Sequence, residues 1–531
     1  MQSLVVQSVK ISLKGGSSVS FFRIENLKAA CAGQYISRGV AGATEVIADG
    51  VSIDSRSILP GQVFLALAGE RFDGHKFVAE VAAAGAAAIL VQHDVPGAAE
   101  LPVPVIRVES TRKSLLRLAA AYRKTLRETK VIAVCGSNGK STTVRLIETT
   151  LAAKLRGTAS KKSHNNDIGV PLTILSAKAT DQYLICEVGT NHPGEIATLG
   201  SVVEPDIAVI TSIGREHLEF FGDIAGVARE EASILPCIRA GGLAVVTADA
   251  PELMPLLKPA PSVIRFGLAP QAELRLTAFE YIWDAAGNPV AWFSCSDRLN
   301  LHMALPGRHN ACNALAAVAV GRRLGLDDAT IAGALATARG PEMRWQAERI
   351  AMHMTGKGAG PGAGLGDGTV LLINDAYNSN PDSLVAGLAT FAELFSPAVA
   401  AAGSVMAVRR RVLVLGDMLE LGTTSDAAHD EAGRLVAKSG CVDVLVAVGP
   451  AAQRAAASAQ AVWGPNHAAK IVRIVEATDA AVSGIAGLVT PGDVVLLKGS
   501  RGMRLERITK ALKSGAVVSV KLDAVRQVAA S

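Results

Sequence analysis

From Lys130 onward, short apolar runs alternate with longer amphipathic stretches, and this alternation limits the fold more than any other feature. The runs VIAVCG, YLICEVG, IAVITSIG and GGLAVVTAD are strand-like, and most of them are followed by a helix-like segment. A second series of strand-like runs, TVLLIND, RVLVLGD, VDVLVAVG and DVVLLKGS, follows LATARGPEMRW. Alternation of this kind predicts mostly parallel sheets covered by helices on both faces, the doubly wound α/β class.

The chain of 531 residues is too long for one hydrophobic core, since domains usually hold roughly 100 to 200 residues. We predict three domains, at residues 1–126, 127–339 and 340–531. The first is a small α/β domain, the second a phosphate-loop domain with a parallel sheet, and the third a Rossmann-like α/β domain. Residues 1–20 are predicted to be a disordered extension, and the glycine-rich stretch 356–368 a mobile loop to which we assign no function.

Composition excludes several classes of protein. The net charge is +5 and is spread without long basic runs, which argues against nucleic acid as a partner. Seven cysteines lie far apart with no C-x-x-C pair, which is typical of reduced cytoplasmic thiols. We find neither an uncharged apolar window of about 20 residues nor a signal-peptide pattern, so we predict a cytoplasmic protein without a membrane span.

The stretch VIAVCGSNGKSTT joins an apolar strand to a glycine turn and a helix, the setting in which a phosphate loop is credible. Val134 stands where the G-x-x-x-x-G-K-[ST] pattern has its first glycine. A phosphate site needs backbone N–H groups at a helix N-terminus, a lysine and a hydroxyl for magnesium, and the candidates are Gly136, Gly139, Lys140 and Ser141. An ordinary glycine turn is the alternative. The helix after the turn is predicted to bury one stripe, formed by Val144, Ile147, Leu151 and Leu155.

Two polar positions follow predicted parallel strands. Glu187 ends one strand and His217 lies just beyond another, so both are expected at the carboxyl edge of the sheet, near the phosphate loop. Together with the Ser141 hydroxyl they would offer magnesium an oxygen, a nitrogen and a second oxygen. Asn165 and Asn166 either contact phosphates or substrate or cap the following helix-like segment.

These segments together resemble the Mur ligase family, the ATP-dependent amide-bond-forming enzymes of peptidoglycan synthesis. The resemblance runs from about Phe21 to Arg507. GSNGKST is similar to the phosphate loop of the family, EVGTNHPGEI to its metal-binding glutamate segment, IGREHLEFFG to its metal-binding histidine segment, and LPGRHNACNALAA to its adenine-side motif. The resemblance implies ATP and Mg²⁺ as cofactors.

Within the family, NDAYNSNPDS and VLGDMLELG resemble segments of the members that add D-alanyl-D-alanine to UDP-N-acetylmuramoyl-tripeptide. DSRSILPGQVFLALAGERFDGHKF resembles the uridine-nucleotide-binding start of these enzymes, and the D-N-P-R motif of the third-residue-adding members is absent. The resemblance therefore implies these two substrates. Separately, we predict a monomer, although the sequence leaves the oligomeric state open. The resemblance also leaves open whether the third peptide residue is diaminopimelate or lysine.

The resemblance also implies roles for individual residues. The implied catalytic residues are Lys140, Glu187, His217 and Arg344. The implied ATP site places Asn310 at the adenine, Arg344 near the phosphates and Asp375 near the ribose, and its members are Gly136, Ser137, Asn138, Gly139, Lys140, Ser141, Thr142, Asn310, Arg344 and Asp375. The implied substrate residues are Asp54, Ser55, Arg56, Asp73, Gly74, His75, Asn165, Asn166, Tyr377, Asn378, Asn380, Lys498 and Ser500. Lys498 and Ser500 are placed near the dipeptide carboxylate or the closing interface, with solvated loop residues as the alternative.

The chain departs from the family pattern at three positions. Cys135 and Ser141 stand where the family usually has threonine, and serine keeps the hydroxyl that a metal needs. Glu231 stands where many members have a carbamylated lysine, which presents a carboxylate-like anion to a second magnesium. Either Glu231 supplies that anion directly, or it is a surface helix residue and the ligand comes from elsewhere.

Three other functions compete with the dipeptide ligase. A third-residue-adding ligase and a folylpolyglutamate synthase share the ligase core, but the latter does not need the uridine-type first domain. The remaining alternative is a non-catalytic nucleotide-binding subunit of a wall-synthesis assembly. Retention of Lys140, Glu187, His217 and Arg344 argues against that last function.

Overall fold

The computed structural model describes residues 21–40, 46–69, 72–161, 163–284, 288–352, 368–395, 408–465 and 471–514. The predicted extension at 1–20 and nearly all of the predicted glycine-rich loop, up to residue 367, lie outside these described residues. Within the described ranges, none of the helices combines the length and the apolar character that a membrane crossing requires.

The first sheet has five strands in the order β1-β7-β6-β3-β2, antiparallel at the β1 edge and parallel elsewhere, beside a small β4-β5 hairpin. The strands are β1 (Gln34–Arg38), β2 (Val51–Ser52), β3 (Val63–Leu65), β4 (Ala68–Gly69), β5 (Phe72–Asp73), β6 (Ala88–Val91) and β7 (Pro104–Arg107). The helices that accompany this sheet are α1 (Ile24–Ala30), α2 (Val78–Ala83) and α3 (Thr111–Arg123).

The second sheet has nine strands in the order β16-β15-β14-β13-β12-β11-β8-β10-β9, parallel from β9 to β14 and antiparallel at the β15–β16 edge. The strands are β8 (Lys130–Cys135), β9 (Gly157–Ala159), β10 (Tyr183–Glu187), β11 (Ile207–Ile210), β12 (Leu243–Thr247), β13 (Val263–Gly267), β14 (Leu274–Trp283), β15 (Pro289–Cys295) and β16 (Asn300–Met303). The helices are α4 (Lys140–Ala152), α5 (Gly169–Ser176), α6 (Glu195–Val203), α7 (Leu218–Phe221), α8 (Ile224–Ala232), α9 (Arg308–Arg323) and α10 (Asp328–Thr337).

The third sheet has six strands in the order β17-β18-β22-β19-β20-β21, all parallel except β17 at the edge. The strands are β17 (Gln346–Ala351), β18 (Thr369–Asp375), β19 (Arg410–Gly416), β20 (Val444–Val448), β21 (Ile471–Ile474) and β22 (Asp493–Lys498). The helices are α11 (Pro381–Phe395), α12 (Ser425–Lys438), α13 (Ala452–Trp463), α14 (Asp479–Leu488) and α15 (Glu506–Ser514).

The eight strand-like runs of the sequence are the central strands of the second and third sheets, so the predicted α/β class is confirmed. These strands are buried along nearly their whole length; β11 and β12, for example, are buried at every residue. Strands covered on both faces read as continuous apolar runs rather than as alternating patterns. This is why they could be recognised without any long-range information.

The apolar stripe of α4 is shorter than predicted. Val144, Ile147 and Leu151 are buried as expected, but α4 ends at Ala152, so Leu155 lies beyond the helix and only packs against the edge of the core. The three- and four-residue spacing of apolar side chains therefore continues beyond the end of the helix.

Helix α3 ties the first domain to the second. It packs against α5 and α6 of the central domain, and residues from both domains share one hydrophobic cluster. At its end, the buried guanidinium of Arg123 donates to the carbonyl oxygens of Val203 at 2.8 Å, Glu204 at 2.8 Å and Leu126 at 3.2 Å. One side chain thus satisfies three carbonyls at the junction.

We expect Arg123→Met to lower the free energy of unfolding by roughly 3 kcal/mol, because it leaves buried carbonyls without donors. Lys124→Met is the matched control, since the neighbouring Lys124 is exposed, and it should change stability by less than about 0.5 kcal/mol. Urea denaturation followed by circular dichroism compares the two variants. Equal midpoints would contradict the anchoring role of Arg123.

Candidate active site

A cleft of about 1210 Å³ lies where the carboxyl ends of β8, β10 and β11 face the third domain. The chain leaves β8 toward β9 on one side of the sheet and leaves the neighbouring β11 toward β12 on the other side. Such a switch point opens a crevice at the carboxyl edge. The cleft brings together many of the residues that the sequence indicated, namely Ser137, Asn138, Gly139, Lys140, Thr142, Asn165, Asn166, Glu187, His217, Asn310, Arg344, Asp375, Tyr377, Asn378, Asn380 and Lys498.

The phosphate loop offers fewer amides than the sequence suggested. Gly136 N donates to Glu231 Oε2 at 2.7 Å, and the amides of Ser137 and Asn138 donate to Ser212 at 2.9 and 2.8 Å. The Gly136 amide is therefore already bonded in this structure, because the buried carboxylate of Glu231 accepts from it, and its contact with a phosphate stays a prediction. Gly136 also shapes the turn, with φ at +117°.

The amides that remain for an anion are those of the first turn of α4. The first intrahelical bond runs from Thr143 N to Gly139 O at 2.8 Å, so the amides from Gly139 to Thr142 have no partner inside the helix. These N–H groups and the positive end of the helix dipole make an anion site directly in front of α4.

Lys140 lies folded over this loop and is surrounded by acidic side chains. Its Nζ donates to the carbonyl oxygens of Gly136 and Ser137 and lies 3.7 Å from Glu216 Oε2. Burial opposes the charge of the ammonium, but the carboxylates of Glu216, Glu231 and Glu187 outweigh it and raise the pKa of Lys140. The lysine is therefore a permanent cation at the centre of the site.

Glu187 is buried at the end of β10, where several groups orient it. Burial raises the pKa of its carboxyl group, opposed by the charges of Arg344 and Lys140 and by hydrogen bonds from Ser141 and Asn165. Asn165 Nδ2 donates to Glu187 Oε1 at 3.1 Å. The two asparagines therefore have different roles: Asn165 orients this carboxylate, and Asn166 Oδ1 caps the segment by accepting from Gly169 N at 2.9 Å.

Glu231 is fully buried, so the alternative in which it is a surface helix residue is wrong. It projects from α8 to the phosphate loop, where its Oε2 accepts from Gly136 N. Helix α8 is amphipathic, and the sequence alone does not show which face packs against the loop. Burial raises the pKa of Glu231, opposed by Lys140.

Glu216 is a site residue that sequence reasoning missed. It precedes His217 in the loop after β11 and faces Lys140, and burial raises the pKa of its carboxyl group to about 8. Its signal in the sequence is a carboxylate next to a candidate metal ligand, in the loop that follows an apolar strand. His217 itself is mostly buried, burial lowers the pKa of its imidazole, and it lies 3.6 Å from Glu420 of the third domain.

The donors around Lys140 suit a magnesium ion. Three buried carboxylate oxygens, Glu187 Oε2, Glu216 Oε1 and Glu231 Oε1, have no hydrogen-bond partner among the described residues. An unpaired carboxylate oxygen in a buried site is costly unless a cation compensates it. Carboxylates, a hydroxyl and a neutral imidazole are ligands that a divalent cation accepts, and Ser141 and His217 supply the last two.

The third domain closes the cleft with side chains from the segment before β17 and from the loop after β18. Arg344 Nη2 donates to Ser141 Oγ at 3.2 Å, and its guanidinium lies 4.6 Å from the ring centre of Tyr377. Asn380 Nδ2 donates to Asn138 Oδ1 at 3.0 Å. Two side chains of the third domain thus touch the phosphate loop and the start of α4.

A second interdomain contact lies beside the loop. Arg215 pairs with Asp382 Oδ1 at 2.8 Å and with Glu431 Oε2 at 2.8 Å. Its backbone amide also donates to Asp382 Oδ2 at 2.6 Å. Because Arg215 precedes Glu216, this ion pair fixes the acidic loop relative to the third domain.

Several sequence-indicated residues lie elsewhere. Asp54, Ser55 and Arg56 form a turn after β2 in which Arg56 pairs with Asp54, and Asp73 and His75 lie at a separate cavity of about 370 Å³. His75 is buried and bonds on both sides, to Asp73 Oδ1 at 2.6 Å and to the Gln92 amide at 3.0 Å. These residues do not line the main cleft in this conformation.

Lys498 and Ser500 are both buried, so the alternative of solvated loop residues is wrong for both. Lys498 Nζ contacts Asp375 Oδ2 at 3.1 Å and Asn378 O at 2.9 Å. Ser500 Oγ accepts from Leu419 N at 2.9 Å and donates to Ser379 O at 3.3 Å. The two residues hold loops of the third domain in place.

Three family models match the chain: "Mur ligase family, catalytic domain" over residues 48–123, "Mur ligase middle domain" over 134–321, and "Mur ligase, glutamate ligase domain" over 365–501. The matches cover most of the chain and include the phosphate loop and the third-domain side of the cleft. The protein belongs to the Mur ligase family.

Two relatives with the same name illustrate the similarity. The UDP-N-acetylmuramoyl-tripeptide--D-alanyl-D-alanine ligase of Escherichia coli is 30% identical over 481 residues, which are 90% of this chain and 96% of that protein. The enzyme of the same name from Mycobacterium tuberculosis is 32% identical over 492 residues, 87% of this chain and 91% of that protein. A crystal structure of MurF from Acinetobacter baumannii has a TM-score of 0.76 at 28% identity and covers 93% of this chain and 99% of that one.

Gly139 has φ at +85°, and a Cβ built there would lie 2.7 Å from Asn313 Oδ1. We expect Gly139→Ala to weaken ADP binding at least tenfold, because the added methyl group displaces the first turn of α4. Gly325→Ala is the control, with φ at +83° but open space around the Cβ. It should cost about 1 kcal/mol of stability and leave ADP affinity unchanged in isothermal titration; an equal loss of affinity in both variants would contradict the steric explanation.

Proposed function

We propose that this protein is the ATP-dependent ligase that joins D-alanyl-D-alanine to UDP-N-acetylmuramoyl-tripeptide, with UDP-N-acetylmuramoyl-pentapeptide, ADP and phosphate as products. Its relatives carry this function in their names and align over about nine-tenths of the chain. The observation that carries the proposal is one cleft in which the phosphate loop, three buried carboxylates and Arg344 of the third domain meet.

The chemistry requires an activated carboxyl group. A free carboxylate is a poor acylating agent because it is anionic and has a poor leaving group. An oxygen of the tripeptide carboxylate attacks the γ-phosphorus of ATP, the bond to ADP breaks, and an acyl phosphate forms. The amine of the dipeptide then attacks the acyl carbon, loses a proton, and inorganic phosphate leaves as the amide forms.

Phosphoryl transfer of this kind depends mainly on positioning and on neutralisation of charge. We assign the γ-phosphate side to Lys140, Arg344 and the amides from Gly139 to Thr142, because these groups converge at the start of α4. Asn310 is assigned to the adenine side and Asp375 to the ribose side of the nucleotide.

The carboxylate cluster is the proposed magnesium site. Ser141, Glu187, His217 and Glu231 would hold the metal, with Glu216 as a further carboxylate at the same place. Bound there, Mg²⁺ would neutralise phosphate oxygens during transfer. In the protein itself, Lys140 and Arg344 balance part of the acidic charge and keep the carboxylates oriented.

Closure of the third domain would protect the acyl phosphate from water. The contacts of Asn380 with Asn138 and of Arg344 with Ser141 bring this domain onto the loop. For the first domain, we propose that it holds the UDP end of the peptide substrate through the region of Asp54–Arg56 and Asp73–His75. That assignment stays a prediction, as do the three domain boundaries and the monomeric state.

The decisive test measures ADP release with UDP-N-acetylmuramoyl-tripeptide, with and without D-alanyl-D-alanine. We expect turnover only with both acceptor and dipeptide, with a preference for one third residue, diaminopimelate or lysine. Lys140→Met should lower kcat at least about a thousandfold, because it removes the central cation from the transferring group. Failure of the wild-type protein to release ADP with either tripeptide would favour a non-catalytic subunit instead.

Glu231 makes a second prediction. If its carboxylate replaces the anion of a carbamylated lysine, added bicarbonate should leave wild-type activity unchanged and Glu231→Ala should lose most of it. Glu231→Lys is the matched variant, since its amine can be carbamylated; its residual activity should rise with bicarbonate. Full activity of Glu231→Ala, or a strong bicarbonate response of the wild-type protein, would contradict the replacement.

A further inference from the structure

The cleft contains five basic Lys and Arg side chains, and they differ in how far the protein already neutralises them. They are Arg112, Lys140, Arg344, Lys498 and Arg501. A substrate with a free carboxylate binds best to a cation that still has N–H donors without a partner within the protein. We therefore compare how much charge and how many free N–H donors each of the five side chains offers to a ligand in the cleft.

Three of the five are committed to strong partners. Arg112 contacts both carboxylate oxygens of Asp167 from the first domain side. Lys140 lies among the carboxylates of the phosphate loop. Lys498 Nζ lies 3.1 Å from Asp375 Oδ2 and donates to Asn378 O at 2.9 Å, so its charge is neutralised within the third domain.

Arg344 is directed to the phosphate end. Its Nη2 donates to Ser141 Oγ, and its charge lowers the pKa of Glu187 against the effect of burial. From this position, the positive charge of Arg344 compensates the carboxylates of the acidic cluster and the negative charge of the phosphate that is transferred. It is therefore already used by the reaction proposed above.

Arg501 is the remaining cation. Its side chain is 37% exposed, and its Nη1 lies 3.3 Å from Glu506 Oε2 and 2.9 Å from the weakly accepting Sδ of Met343. Among the described residues, its Nη2 and Nε donate no hydrogen bond. Arg501 thus presents two donor nitrogens, with a planar geometry suited to a carboxylate.

The surroundings of Arg501 suit a small zwitterionic peptide. Its guanidinium lies 6.0 Å from the ring centre of Tyr377, whose ring also lies near Arg344. Ser379, two residues further, lines the cleft with a buried hydroxyl that has no hydrogen-bond partner in the described part of the chain. Ser500 joins the two loops by donating to Ser379 O.

We infer that Arg501 binds the free carboxylate of the incoming dipeptide, with the Ser379 hydroxyl beside it. The inference rests on the function proposed above and assigns within it the residue that distinguishes a dipeptide from its neutral analogues. The dipeptide would lie across Tyr377 between Arg501 and Arg344. Its amine would then point toward the phosphate end, where the acyl phosphate forms.

The test compares D-alanyl-D-alanine with D-alanyl-D-alaninamide, which lacks the carboxylate, in the ADP-release assay. The wild-type protein should prefer the dipeptide. Arg501→Met should lower kcat/KM for the dipeptide roughly 10- to 100-fold through KM, leave kcat/KM for the amide nearly unchanged, and so abolish the preference. The KM values for ATP and the UDP-linked tripeptide should stay within about twofold.

Arg504→Met is the control, because Arg504 lies in the same loop and is exposed; it should keep the wild-type preference. Arg501→Lys keeps the charge but not the planar donors, so it should keep only part of the preference for the dipeptide over the amide. If Arg501→Met does not fold, the preference of Arg501→Lys tests the inference in its place. Retained preference in Arg501→Met, or an equal loss with both acceptors, would overturn the inference alone. No ADP release by the wild-type protein with the dipeptide would overturn the proposed function and this inference together.

Discussion

The site depends on one electrostatic arrangement: the mostly buried ammonium of Lys140 lies among the carboxylates of Glu187, Glu216 and Glu231. Glu216 and Glu231 come from elements on one side of the phosphate loop and Glu187 from the end of β10 on the other. Burial by itself would disfavour every one of these charges. Lys140 favours the ionised form of each carboxylate, and the carboxylates favour the charged form of Lys140, while burial raises the pKa of all three carboxyl groups. The carboxylate oxygens without a hydrogen-bond partner among the described residues are ligands that a divalent cation can bind.

The same arrangement explains the form of the phosphate loop. Glu231 accepts a hydrogen bond from the Gly136 amide, and Ser212 accepts from the amides of the next two residues. These bonds hold the loop in one conformation without a nucleotide. A loop held in this way pays little ordering entropy when a phosphate arrives at the start of α4. The third domain then contacts this rigid loop through Arg344 and Asn380, while the ion pair of Arg215 holds the neighbouring acidic segment.

Much of the fold could be predicted because its signals are local. Strands buried on both faces are continuous apolar runs, and the strand, glycine turn and helix around Lys140 follow one another directly between Lys130 and Ala152. Local patterns were insufficient where the end of an element or a hydrogen-bond partner depends on residues far away in the sequence. The apolar spacing of α4 continues to Leu155 in the sequence, although the helix ends at Ala152. The glycine pattern also does not show that Glu231, far away in the sequence, accepts from the Gly136 amide.

By itself, then, the sequence determined the α/β class, the order of the parallel strands along the chain, and the position of the phosphate loop with Lys140, Ser141 and Glu187 at one sheet edge. Only the tertiary structure decided which charged groups meet there. Glu231 is 95 residues from Gly136, and Arg344 is 203 residues from Ser141. No spacing rule connects residues so far apart, because their contact depends on how helices pack against the sheet and how domains close. For the same reason, only the structure separates Lys498, neutralised by Asp375, from Arg501, which keeps donors free for a ligand.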